Sequence, residues 1–189
     1  MYSILTSDRI FCSKIKVVTL YSNTRTTFIN YINYIQRKDI EYELYGDGDY
    51  VSEIIKKSRS DPRVRYFGTK PNSQVIAAEE QASILINPRR NDQLFSKYCF
   101  PSKIAEYLCC GRPILCYKLD GISPEYDKYL NYVVGDSPAE LATSILALLD
   151  DLGNAEIKAD QGKEFILKNR NYMVQGEKIC RFIQEVLSR

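Results

Sequence analysis

Short apolar runs alternate along the chain with stretches whose apolar residues recur every three or four positions. Ile-Lys-Val-Val-Thr-Leu-Tyr over 15–21 is β-branched and apolar, and predicts a first buried strand. Ser22-Asn23-Thr24 supplies turn and capping chemistry, and Phe28, Ile29, Ile32 and Ile35 predict the apolar side of a helix. Ile40 to Tyr45 alternates as a second strand, closed by Gly46-Asp47-Gly48, with a helix over 51–58. After the break at Asp61-Pro62, residues 64–68 predict a third strand. A helix capped by Asn72 or Ser73 then runs to about Gln81. Ser83 to Pro88 reads as a fourth, fully apolar strand, and 91–99 as a polar loop.

Downstream, a helix from Pro101 leads into a fifth strand over 114–117, and Tyr132 to Val134 offers a short sixth. Asp136-Ser137-Pro138-Ala139-Glu140 is a capped helix start, with Leu141, Ile145, Leu148 and Leu149 forming the apolar face behind it. Amphipathic helices are predicted over 155–168 and 173–187. Strands alternating with helices imply an α/β fold, a single Rossmann-like domain whose doubly wound parallel sheet carries helices on both faces. Residues 1–13 show no period and read as an N-terminal arm or linker, leaving 14–189 as the domain.

Composition narrows the function. The 189 residues are 44% hydrophobic and 26% charged, a globular balance, and the formal net charge of +2 offers no field for nucleic acid. With no apolar stretch of spanning length and no signal-type leader, a cytoplasmic protein is expected. Six cysteines without C-x-x-C spacing suggest reduced, mostly buried thiols and no zinc site. The chain contains no histidine, which excludes Ser-His-Asp and Cys-His catalysis from its own residues.

Candidate chemistry concentrates in Phe100 to Leu115. Pro101 suits a helix start, Gly111 the left-handed residue past its end, and Pro113 stops it from resuming. Lys103 is misplaced for an ordinary helix, because the positive end of the helix dipole disfavours a cation by about 0.3–1 kcal/mol. Free N–H groups, the Ser102 hydroxyl and the Lys103 ammonium together suit an anion such as phosphate. Glu106, one turn on, can accept hydrogen bonds from sugar hydroxyls; a solvated lysine and a surface glutamate are the plainer alternative. Arg89 and Arg90 follow the fourth strand, at the end where open α/β sheets bind ligands, and the plainer reading there is a solvated loop pair.

The run FPSKIAEYLCCGRPIL resembles the donor-binding core of GT-B glycosyltransferases, especially family 4, the glycogen-synthase-like retaining enzymes. Arg63 to Pro71, Ser83 to Pro88 and Asp120 to Tyr126 are similar to further blocks of that family. The resemblance implies one of two Rossmann-like halves, the C-terminal one, binding a nucleotide-diphosphate sugar without a divalent metal or other cofactor. It gives Ser102 and Lys103 the pyrophosphate, and Glu106, which matches the second glutamate of the family's E-x7-E motif, the ribose. Arg25 or Arg90 would carry further phosphate charge, and Gly68 and Thr69 would approach the base. The sequence departs from the pattern where Tyr98 occupies the place of the first glutamate. The lysine of the first strand-to-helix turn also has no counterpart.

The implied function is a glycosyltransferase donor domain, inactive without an acceptor-binding half supplied in the same polypeptide or by a partner subunit. Membrane association would come only through such a partner. The alternative is a non-catalytic nucleotide-binding or partner subunit derived from such an enzyme. A flavodoxin-like or nicotinamide-binding Rossmann domain is disfavoured, since Tyr21 to Arg25 is not G-x-G-x-x-G.

Overall fold

A computed structural model describes residues 15–22, 29–91 and 97–188. The arm expected over 1–13 lies outside them. Six parallel strands form one sheet in the order β3-β2-β1-β4-β5-β6, with β1 (Ile15–Ser22), β2 (Ile40–Asp47), β3 (Val64–Gly68), β4 (Ile84–Asn87), β5 (Ile114–Cys116) and β6 (Asn131–Tyr132). The helices are α1 (Val51–Ser60), α2 (Asn72–Glu80), α3 (Ser102–Cys110), α4 (Pro138–Asp150), α5 (Leu152–Asn169) and α6 (Tyr172–Leu187). The α/β Rossmann-like fold expected from the sequence is the one observed.

Successive strand residues face opposite sides, and the core divides accordingly. Val17, Tyr42, Leu44, Ile84, Ile86 and Leu115 face one cluster, covered by the 3-10 helix Ile29–Tyr34, by α1 through Ile54 and by α4. Val18, Tyr45, Leu85, Ile114 and Cys116 face the other, covered by α2, α3, α5 and the 3-10 helix Pro124–Tyr129. Burial on both faces explains why β1 and β4 read as continuous apolar runs.

Within the secondary structure, the sequence reading differs from the structure at several points. The segment after β1 is a 3-10 helix; Ile29, Ile32 and Ile35 recur every third residue, the period of that helix, and Ile35 N–H bonds the Ile32 carbonyl at 3.3 Å. Phe28 lies outside the described residues. The Arg63 guanidinium fixes this segment by donating to the carbonyls of Ile32, Ile35 and Arg37. In β2 the polar alternates are buried too: Glu43 meets Lys16 at 3.2 Å and the Tyr45 hydroxyl at 2.9 Å, and Glu41 meets Arg65 at 2.7 Å. Pro71, not Asn72 or Ser73, caps α2, with its carbonyl accepting from Gln74 and Val75. Finally, α5 begins at Leu152, three residues earlier than its pattern suggested, because only Asp151 separates it from α4.

Candidate functional site

In a parallel sheet wound this way, each helix that follows a strand starts above the strand's C-terminal end. The strand order reverses between β1 and β4, which opens a crevice there. α3 starts on this edge. Pro101 is its N-cap (φ −70°, ψ 112°) rather than its first-turn residue, and its carbonyl accepts the Ile104 N–H at 2.9 Å. Among the described residues no side chain caps the helix, so the first-turn N–H groups of Ser102 and Lys103, which have no acceptor within the helix, can serve a ligand or water. Gly111 ends the helix in the left-handed conformation (φ 67°), as its position in the sequence implied.

The anchors of α3 and its candidate ligand groups lie on different faces. Ile104, Tyr107 and Leu108 are buried, whereas Ser102 is exposed and Lys103 and Glu106 are partly so. Lys103 Nζ meets Glu106 Oε1 at 2.7 Å, with side chains 41% and 29% exposed. The two residues assigned to phosphate and ribose therefore bind each other. An ion pair this open is worth about 0–1 kcal/mol, so a diphosphate can draw the ammonium away at little cost.

Beneath the pair lies Glu79 of α2, completely buried. Its Oε2 accepts the Cys110 thiol at 3.5 Å, and its Oε1 meets no hydrogen-bond donor. Cys110 stands one turn after Glu106 on α3, so the Glu79 carboxyl that it touches lies on the same side of that helix as the Glu106 carboxylate. Burial and then the negative charge of Glu106 push the Glu79 carboxyl up to about 7, against an opposing pull from Lys103. Burial, and next the charge of Glu79, raise the Cys110 thiol to about 12, which keeps it a donor. Glu79 was not singled out from the sequence, yet it left a signal: at helical spacing it falls between the buried Val75 and Ala82.

Arg90 lies at the same edge, after β4. Its guanidinium stacks over the Tyr117 ring at 4.8 Å and donates to the Tyr117 hydroxyl and the Asp136 carbonyl. It thus ties the ends of β4, β5 and the segment after β6 together. Asn91 joins the same loops by exchanging hydrogen bonds with Asp120 (2.8 and 3.3 Å), a link with no signature in the sequence. Gly68 ends β3, where the register against β2 shifts, and the exposed Thr69 follows it. They stand three strand spacings from β4, about 14 Å, the other side of the crevice. Arg25 lies outside the described residues. Tyr98, at the place of the missing glutamate, is 81% exposed. Among the described residues no three metal-ligating side chains converge.

Residues 17–151 match the family model of glycosyl transferases group 1. No curated protein matches the chain significantly in sequence. Among solved structures, HepE from Anabaena, in complex with UDP and glucose, superimposes with a TM-score of 0.70 at 16% identity over 92% of this chain and 49% of its own. Sucrose-phosphate synthase from Thermosynechococcus elongatus gives 0.69 at 15% identity, over 93% of this chain and 46% of its own. The catalytic domain of cholesterol-α-glucosyltransferase from Helicobacter pylori gives 0.62 at 14% identity, over 81% of this chain and 97% of its own. The chain thus spans about half the length of the first two. The resemblance to GT-B glycosyltransferases holds at the level of the fold, and the match over 17–151 fixes the family: the chain belongs to the group 1 glycosyl transferases.

Proposed function

We propose that this chain is the donor-binding half of a glycosyltransferase, taking a nucleotide-diphosphate sugar at the crevice between β1 and β4. The observation that carries this reading is the start of α3, where uncapped N–H groups, the Ser102 hydroxyl and an easily parted Lys103–Glu106 pair share the C-terminal edge of the sheet. The diphosphate takes Lys103 and the helix start, which frees Glu106 for the ribose hydroxyls. Arg90 contributes positive potential from β4, and Gly68 and Thr69 flank the base. As the glycosidic bond breaks, the departing diphosphate gains charge, and the helix start and Lys103 stabilise it. The UDP and glucose held by HepE support this ligand class. Cys110 and Cys116 are buried, but Cys99, Cys109 and Cys180 are exposed, against the expectation of mostly buried thiols; all five are free, which suits a reducing, cytoplasmic setting.

A second reading, that of a partner subunit, draws on α6. None of its residues is buried, and Ile179, Phe182, Ile183 and Val186 form an exposed apolar stripe fit to pack on another domain or chain. The related fold in a GtfA/B complex is compatible with such a partnership.

Calorimetric titration with UDP, GDP and ADP tests the proposal. Micromolar binding of one nucleotide, weakened at least tenfold by Lys103→Glu and by Glu106→Ala, is the expected result. Unchanged affinity in both variants sinks the site assignment, and no binding at all favours the partner reading.

A further inference from the structure

The donor-site reading leaves Glu79 unexplained. A fully buried carboxyl with no basic partner is costly to retain, and this one has one oxygen on a thiol and the other without a donor. The charged and titratable groups around it are Lys103, Glu106 and Cys110 from α3 and Glu80 beside it on α2. Arg112, in the turn after α3, donates to the Glu80 carbonyl. Two neighbouring carboxyl groups are compatible when one keeps its proton.

Resting on the donor-site reading, we propose that Glu79 is a positioning residue: held as a neutral acid, it donates a hydrogen bond to Glu106 and aims that carboxylate at the sugar hydroxyls of the bound nucleotide. The thiol of Cys110 completes the arrangement by donating to the other side of Glu79. Lys103 couples the device to the ligand. While Lys103 pairs with Glu106 it favours loss of the Glu79 proton; once a diphosphate draws the ammonium away, the proton is held more firmly. Binding near neutral pH therefore takes up part of a proton, and it weakens as the pH rises and Glu79 ionises beside Glu106.

The test is calorimetry with UDP-glucose, GDP-mannose and ADP-glucose, whose diphosphates carry no proton that titrates near neutrality. Wild type, Glu79→Gln, Glu79→Ala and Glu106→Gln are compared at pH 6 and pH 8, in buffers of differing ionisation enthalpy. Wild type is expected to bind about tenfold more weakly at pH 8 than at pH 6, with proton uptake. Glu79→Gln, which keeps a donor toward Glu106, should bind at pH 8 as wild type does at pH 6 and show neither effect. Glu79→Ala, checked for an intact fold by circular dichroism, should bind about tenfold more weakly at both pH values. The inference is overturned if Glu106→Gln weakens binding but both Glu79 variants keep the affinity and pH profile of wild type. If instead no sugar nucleotide binds wild type, or Glu106→Gln binds unchanged, the donor-site reading itself has failed and this inference falls with it.

Discussion

Replacing Glu79 by glutamine should stabilise this protein at alkaline pH and leave it nearly unchanged in acid. The side chain is completely buried, and its carboxyl is raised from an ordinary 4.5 to about 7. A folded state that holds the proton more tightly than the unfolded chain is favoured below about pH 4.5. It loses that advantage as the pH rises toward 7, because over that interval the unfolded chain has already given up the proton. Each pKa unit corresponds to about 1.4 kcal/mol, so the loss across the interval comes to about 3 kcal/mol. Glutamine has nearly the same shape, never ionises, and offers an amide donor toward Glu106 and a carbonyl toward Cys110. Urea unfolding at pH 5 and pH 8 reads the difference directly. At pH 8 the midpoint of Glu79→Gln should exceed that of wild type by about 1–2 M, given a slope of about 2 kcal/mol per molar urea, and at pH 5 by no more than about 0.5 M. A variant less stable than wild type at pH 8, or displaced equally at both pH values, would refute the view that Glu79 is a buried acid strained by ionisation.

Four further outcomes follow from the packing. Arg63→Lys keeps the charge but loses the fork that holds three carbonyls and both Asp61 oxygens (3.0 and 2.7 Å), and should cost about 2–3 kcal/mol in chemical denaturation. Since Arg63 holds the Asp61 carboxyl at about 2, below its ordinary 3.8, wild-type stability should fall as the pH drops from about 4 to 2, and less steeply in that variant. Gly135→Ala should cost about 2 kcal/mol by thermal melting: at φ 91° an alanine is strained, and its Cβ would drive away the Glu140 carboxylate that accepts from Asp136 and Ser137 at 2.9 and 2.8 Å. Charge placed on α6 by Ile179→Asp with Phe182→Asp should shift the unfolding free energy by no more than about 0.5 kcal/mol, because no residue of that helix is buried; a larger drop would mean that its apolar face packs on this domain.

The sheet was legible because its strands are buried on both faces and therefore write their positions as unbroken apolar runs, as Val17-Val18 and Ile84-Leu85-Ile86 do. The capping box of Ser137 and Glu140 and the left-handed Gly111 were equally plain, since each depends on residues close in sequence. The 3-10 helix after β1 was harder. A spacing of three also fits one side of an α-helix, and what secures the tighter coil is Arg63, 28 residues beyond Ile35. For the candidate site, local chemistry points to Ser102, Lys103 and Glu106 but does not show that Lys103 and Glu106 pair with each other. The burial of Glu79 and the engagement of Arg90 by Tyr117 and Asp136 arise from contacts across 27 to 46 residues of chain. No window of sequence contains them.

One helix supplies both core and site, and this decides which part of the site can respond to a ligand. Ile104 and Leu108 lock α3 against the sheet, and burying each such side chain contributes about 1.5–3 kcal/mol. α5 presses on the same helix so closely that a Cβ on Gly162 would lie 2.7 Å from Leu108 Cδ2. Shifting the backbone of α3 would break those contacts, whereas parting Lys103 from Glu106 costs about 1 kcal/mol at most. On the proposed donor-site reading, a ligand at this edge meets a fixed helix start, a carboxylate backed by the buried Glu79, and a lysine held only by its exposed pair with Glu106. Discrimination between ligands then has to come from the rigid parts, the N–H groups of α3 and the aim of Glu106, while Lys103 responds to negative charge of any kind. Under the donor-site proposal, a nucleoside without phosphate leaves the lysine on Glu106 and that carboxylate occupied, so it should bind far more weakly than the matching nucleoside diphosphate in the same calorimetric titration.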